Sequence, residues 1–205
     1  METLQVNMIN DIISNSLEKS MSYAEYRTLV SELTENNSTT GLEKTEALVN
    51  YTALNDRRMK RWDKTVKLSE DAKTTVENSN RKMTWLVLTE SWCGDAAHIM
   101  PVINKVAELN DNIDYKVVLR DENEALMNAF LTNGGKSIPK LIMIDNDSNE
   151  VIDTFGPRPS VATELVNDYK AEHGQLTPEF KEDLQRWYNK DKGQSTLEDL
   201  LKTLV

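Results

Sequence analysis

Cys93 is the only cysteine in 205 residues. No disulfide can form within the chain, and one thiol fits a reducing compartment. His98, His173 and Cys93 show no zinc-ligand spacing, so no metal or other cofactor is expected. An iron–sulfur cluster would need two chains, each giving one thiolate, together with small thiols. No apolar run approaches the roughly 18 residues of a membrane span. The opening METLQVNMINDIISNSLEKS has neither the basic start nor the compact apolar stretch of a signal peptide. A cytoplasmic protein with no membrane partner is expected. Basic residues are outnumbered, 24 to 34, leaving a net charge of −10 and a pI near 4.8. That balance argues against nucleic acid, which needs cations to displace its counterions. Glycine (7) and proline (5) are sparse, so long helices and few irregular loops follow.

What is present suits a packed core. Hydrophobic residues make up 39% and charged residues 28%, a globular composition. The length allows one enlarged domain or two small ones. Residues 1–80 read as a helical extension packed on a core, 81–173 as the core and 174–205 as C-terminal helices, together one compact domain. In the extension, Ser22 and Glu25 have the spacing of a capping box, and Tyr26, Leu29, Val30 and Leu33 recur at helical intervals. TENNSTTG (34–41) reads as a polar turn or exposed loop. Apolar spacing resumes at Leu42 and runs through Trp62 to Leu68. It predicts one helix ending before NSN at 78–80, or two with a break near Asn55.

The pattern changes at Thr84. WLVLT (85–89) and YKVVLR (115–120) are short apolar runs, the mark of buried strands. DAAHIMPVINKVAELN (95–110) and ENEALMNAFL (122–131) read as helices, and NGGKSIP (133–139) as a loop. KLIMID (140–145) and EVIDTF (150–155) form a hairpin across NDSN, and a helix over 160–173 stops at Gly174. Thr177-Pro178 opens another helix, and a last one starts near Thr196. Residues 84–173 are therefore β-α-β-α-β-β-α: a parallel pair, then an antiparallel hairpin, in a mixed sheet with helices on both faces.

That order, with Trp92-Cys93 just after the first strand, Pro101 eight residues on and Ser137-Ile138-Pro139-Lys140 before the hairpin, resembles thioredoxin. The resemblance implies an α/β thioredoxin-like fold, here with helical extensions at both ends, and a cis bond before Pro139 facing Cys93. LNDRRMKRWDK, TESWCGDAA, LRDENEALMNAFLTNGGKSIPK and FGPRP are similar to a bacterial group of thioredoxin-like proteins with a single-cysteine W-C-G-D-A motif. Two departures matter. Ala96 stands where thioredoxin has its resolving cysteine, and Val87 or Leu88 where it buries a carboxylate.

Cys93 is the candidate nucleophile. At a helix N-terminus the unpaired amides and the macrodipole favour its thiolate, and Gly94 leaves room beside the sulfur. Glu90 and Asp95 are close in sequence and push the other way. A thiolate would form a mixed disulfide with a disulfide-containing protein or a low-molecular-weight thiol. Without a second cysteine, an outside thiol must resolve it, the logic of monothiol glutaredoxins without their C-G-F-S motif. Trp92 would cover the sulfur, Ile138 would offer its backbone to a peptide, and Pro139 would flank it. His98 lies about 140° round the helix from Cys93 and should point away, as a surface or packing residue. His173, before Gly174, suits a helix C-terminus.

DRRMKRWDKTVK (56–67) holds six of the 24 basic residues. One reading is a solvated face paired with Asp56 and Asp63. The other is an anion site beside Cys93, built from Arg61 with Arg120 and Arg158. Met83, Met100, Met127 and Met143 read as core filler, and Trp62, Trp85 and Trp187 as packing anchors. Three functions fit: a monothiol thiol–disulfide oxidoreductase using Cys93, a redox-inactive binding or adaptor protein on the same fold, and a cysteine-nucleophile enzyme that reduces peroxide.

Overall fold

Ser22 Oγ accepts the Glu25 amide while the Glu25 carboxylate takes the Ser22 amide, so the capping box is formed. It starts α2 (Tyr23–Glu35), which buries Tyr23, Tyr26 and Val30. The computed structural model describes residues 2–204, with side chains from Asn7 to Leu204. Before α2 comes α1 (Glu2–Leu17). After it come α3 (Glu46–Thr65), α4 (Glu70–Glu77), α5 (Gly94–Ala107), α6 (Glu124–Ala129), α7 (Ser160–His173), α8 (Pro178–Asp191) and α9 (Gln194–Lys202).

The strands are β1 (Met21–Ser22), β2 (Met83–Thr89), β3 (Ile113–Leu119), β4 (Lys140–Asp145) and β5 (Val151–Phe155), in the order β1-β3-β2-β4-β5. β2 runs parallel to β3 and antiparallel to β4, and β4 pairs antiparallel with β5. Leu86, Val87 and Leu88 are all fully buried in central β2. Successive strand residues point to opposite faces, so both faces of the sheet are covered. This is the mixed α/β sheet flanked by helices that the sequence predicts. The four methionines singled out are buried in it, as are Trp62 and Trp85, while Trp187 packs partly buried against it.

Four details differ from the sequence reading. α3 runs unbroken through Asn55, and the break falls at Val66–Ser69, where Ser69 caps α4 by accepting the Ala72 amide. Asn55 does not break the helix because its side-chain amide is taken up by the Ser91 carbonyl, 3.0 Å away. The helix expected over 122–131 is a 3₁₀ turn (Arg120–Glu122) followed by the short α6. β1 went unpredicted. It pairs Met21 with Val117 and Ser22 with Lys116, covering part of the outer edge of β3. α9 begins two residues earlier than expected and ends at Lys202, and Val205 lies outside the described residues.

Candidate functional site

Cys93 is the N-cap residue of α5, at the C-terminal end of β2. Its thiol donates to the Ile138 carbonyl at 3.3 Å. The Ile138–Pro139 bond is cis, and so is Gly156–Pro157. The FGPRP loop lies directly against the Pro139 turn. A Cβ on Gly156, at φ +106, would sit 2.2 Å from the Pro139 carbonyl oxygen, so only glycine allows this approach. The loop in turn brings Arg158 to Asp95, with Nη2 2.6 Å from Oδ2. Tyr188 of α8 donates to the other Asp95 oxygen at 2.9 Å.

The electrostatics favour the neutral thiol. Cys93 is only 8% exposed. Burial first, then the Asp95 carboxylate, push its pKa up to about 12, against the backbone amides of Ala96 and Asp95 and the Arg158 cation. The sulfur sits at a helix N-terminus, yet the helix does not win. Burial also raises the Asp95 carboxyl despite Arg158 and Tyr188, so the ion pair does not fully offset desolvation. Glu90 is fully buried. Its Oε1 accepts the Asp121 amide at 2.9 Å, and its Oε2 has no hydrogen-bond partner. Its carboxyl is raised, mainly by desolvation.

The turn that carries Trp92-Cys93 is tied down by hydroxyls. Ser91 Oγ meets Thr52 Oγ1 at 2.8 Å, Thr39 Oγ1 at 3.2 Å and the Thr40 amide at 3.0 Å, and the Ser91 amide donates to Thr40 Oγ1. Thr39 and Thr40 are buried, so the end of TENNSTTG is not an exposed loop. It locks the Trp92-Cys93 turn to α3. Gly41 follows at φ +91, where a Cβ would come 2.9 Å from Asp121 Oδ2 and 3.3 Å from Trp92 Nε1. Trp92 lies half-buried in a cleft of about 480 Å³ shared with Leu42, Leu48, Asp121 and Lys136. The Arg120 guanidinium lies 5.0 Å over its ring and pairs with Asp121. Cys93 does not line this cleft.

Of the residues singled out from sequence, Cys93, Asp95, Ile138, Pro139 and Arg158 come together. Gly94 is beside them, but a Cβ there would meet Arg58 and Gln185 at 3.6 and 3.8 Å, ordinary contacts, so packing does not demand glycine. Arg61 is not part of the group. Its Nη2 donates to Asn189 Oδ1 at 2.6 Å and its guanidinium lies over Trp62. Steps of three residues rotate by about −60° around a helix. Thr52, Asn55 and Arg58 therefore face the Ser91–Gly94 turn while Arg61 has turned toward α8. The proposed anion site beside Cys93, with Arg61, Arg120 and Arg158 together, is not assembled.

His98 is buried, not at the surface. Trp62 Nε1 donates to its Nδ1 and Gln185 Oε1 faces its Nε2, both at 2.8 Å, so the proton sits on Nε2. Its ring stacks on Tyr188. His173 is the last residue of α7, directly before its C-cap Gly174. Arg58, Gln185 and Tyr188 were missed because α3 and α8 carry no local signal of nearness to Cys93. Among the described residues no group of three or more His, Cys, Asp or Glu could hold a metal ion. No helix there is long and apolar enough to cross a membrane.

A thioredoxin family model matches residues 41–170, a span that takes in α3 and α4 as well as β2 to β5. No curated protein matches the chain. Among solved structures, a protein of unknown function from Pseudomonas aeruginosa is 14% identical, with a TM-score of 0.64 over 93% of this chain and 95% of its own. An HIV epitope-scaffold is 16% identical, with a TM-score of 0.55 over 89% and 97%. At these identities both likenesses concern the fold alone.

Proposed function

The chain belongs to the thioredoxin family, and from that premise we propose that it performs thiol–disulfide exchange through Cys93 alone, with the thiol held in reserve until a disulfide docks. The observation that carries this reading is the sulfur's contact with the Ile138 carbonyl beside Pro139, at the mouth of α5. A peptide laid along the Ile138 backbone would present its disulfide there, displacing that hydrogen bond. Cys93–SH and R–S–S–R′ give Cys93–S–S–R and R′–SH, the thiol proton passing to the leaving sulfur. An external low-molecular-weight thiol then attacks the mixed disulfide, regenerating Cys93–SH and releasing R as a disulfide with that thiol. Ala96 is buried in the first turn of α5, so the chain offers no internal route. A reducing cytoplasm would keep Cys93 in its thiol form.

The burial of Cys93 and its raised pKa favour a second reading, a thioredoxin-fold binding protein without exchange chemistry. Mass spectrometry separates the two. The protein and a Cys93→Ser control are incubated with a small disulfide and with a disulfide-bonded unfolded peptide. Exchange predicts an adduct on Cys93, formed faster with the peptide. No adduct with either on the folded protein leaves the binding reading. Ala96→Cys tests the rest of the site: dithiol disulfide reduction by that variant would support it.

A further inference from the structure

We propose that the cleft between the C-terminal end of α3 and the α8–α9 corner binds a small ligand with clustered phosphate groups. The cleft is about 540 Å³, within the range of small-molecule sites. Arg61, Lys64, Lys67 and Lys192 line it with Asn189 and Gln194, and no carboxylate does. The chain has ten more acids than bases, yet four cations gather here with no acid between them.

The acids of the DRRMKRWDKTVK segment are committed elsewhere. Asp56 pairs with Arg27 and Lys60, and Asp63 takes Arg27 and the Tyr23 hydroxyl. Among the described residues none of the four cleft cations forms an ion pair, although Lys60, Lys73, Lys105 and Lys202 do. The solvated, internally paired face expected from sequence therefore holds for Lys60 and fails for Arg61, Lys64 and Lys67. The helix dipole accounts for Lys64, in the last turn of α3. It does not account for Lys67 beyond that helix or for Lys192, which comes from another element. Asp191 is occupied at the start of α9, accepting the Ser195 amide and hydroxyl.

Arg61 is fixed before any ligand arrives. Asn189 holds Nη2 and the Trp62 ring lies 5.3 Å under the guanidinium, leaving its other N–H groups to make charge-assisted bonds. The walls are rich in donors and poor in acceptors, the complement of a phosphate group. The chain's net charge of −10 would repel an extended nucleic acid, so the ligand is small.

Titration calorimetry with inorganic tripolyphosphate on the full chain tests this. The comparison is with a Lys64→Gln/Lys67→Gln/Lys192→Gln variant and a Lys73→Gln/Lys105→Gln control. Saturable one-to-one binding is expected in wild type and control, weakened at least about tenfold in the triple variant with its loss of charge-assisted bonds. If the triple variant melts early, Lys67→Gln alone, outside any helix, must still weaken binding. Three results overturn the proposal: no saturable heat, equal affinity in all variants, or tighter binding of a single-stranded oligonucleotide than of tripolyphosphate.

Discussion

Native Cys93 should be a poorly reactive thiol. An ordinary thiol ionises near pH 8.5, so a value pushed up to about 12 leaves more than about a thousandfold less thiolate at any pH below both. Iodoacetamide at pH 7.5 should therefore label the folded protein about three orders of magnitude more slowly than the urea-unfolded chain. The same difference makes a stability claim. The folded-state pKa is raised, so the thiol's contribution is fully present below pH 8.5 and is lost as pH rises toward 12, because the unfolded thiol ionises first. At pH 10 that loss is about 2 kcal/mol. Urea unfolding of wild type and Cys93→Ala from pH 8 to 10.5 should show it as a falling limb present only in wild type. Labelling within tenfold of the unfolded rate, together with parallel alkaline limbs, would refute the argument and restore a prepared thiolate.

Three further outcomes are expected. Gly156→Ala should cost at least about 2–3 kcal/mol, since its Cβ would meet the Pro139 carbonyl. Gly134→Ala, at φ +75 with no atom within 4 Å, should cost about 1 kcal/mol; equal losses in urea melts would dismiss the contact. Arg158→Met leaves the largely enclosed Asp95 carboxylate without its cation and should cost about 3–5 kcal/mol, most of it recovered by adding Asp95→Asn; a loss under 1 kcal/mol by calorimetry would mean the pair is solvated. Burial lowers the His98 pKa to about 4, so its contribution is present above pH 6.5 and falls by about 3 kcal/mol as pH drops to 4. NMR should find no His98 titration between pH 5.5 and 8.

Patterns of period two and period 3.6 report local geometry, and that is where the sequence speaks plainly. WLVLT, YKVVLR and KLIMID are short apolar runs of the length and composition that buried strands favour, and Ser22 with Glu25 has the spacing that marks a helix start. Trp92-Cys93, Pro101 and Pro139 pointed to a candidate site through their resemblance to thioredoxin, not through any periodicity. Whether Cys93 is ionised could not be read there. A helix N-terminus is a local feature, but burial depends on every element packed over the sulfur. Asp95 meets Arg158, 63 positions later, and Tyr188, 93 later, only after the sheet has formed. The same limit governed the basic segment. Which of its cations finds an acid, and which faces α8 across an acid-free cleft, is set by the rotation of α3 against α5 and α8. Tertiary packing alone determines that rotation, because a helix presents all its faces until a neighbour buries one.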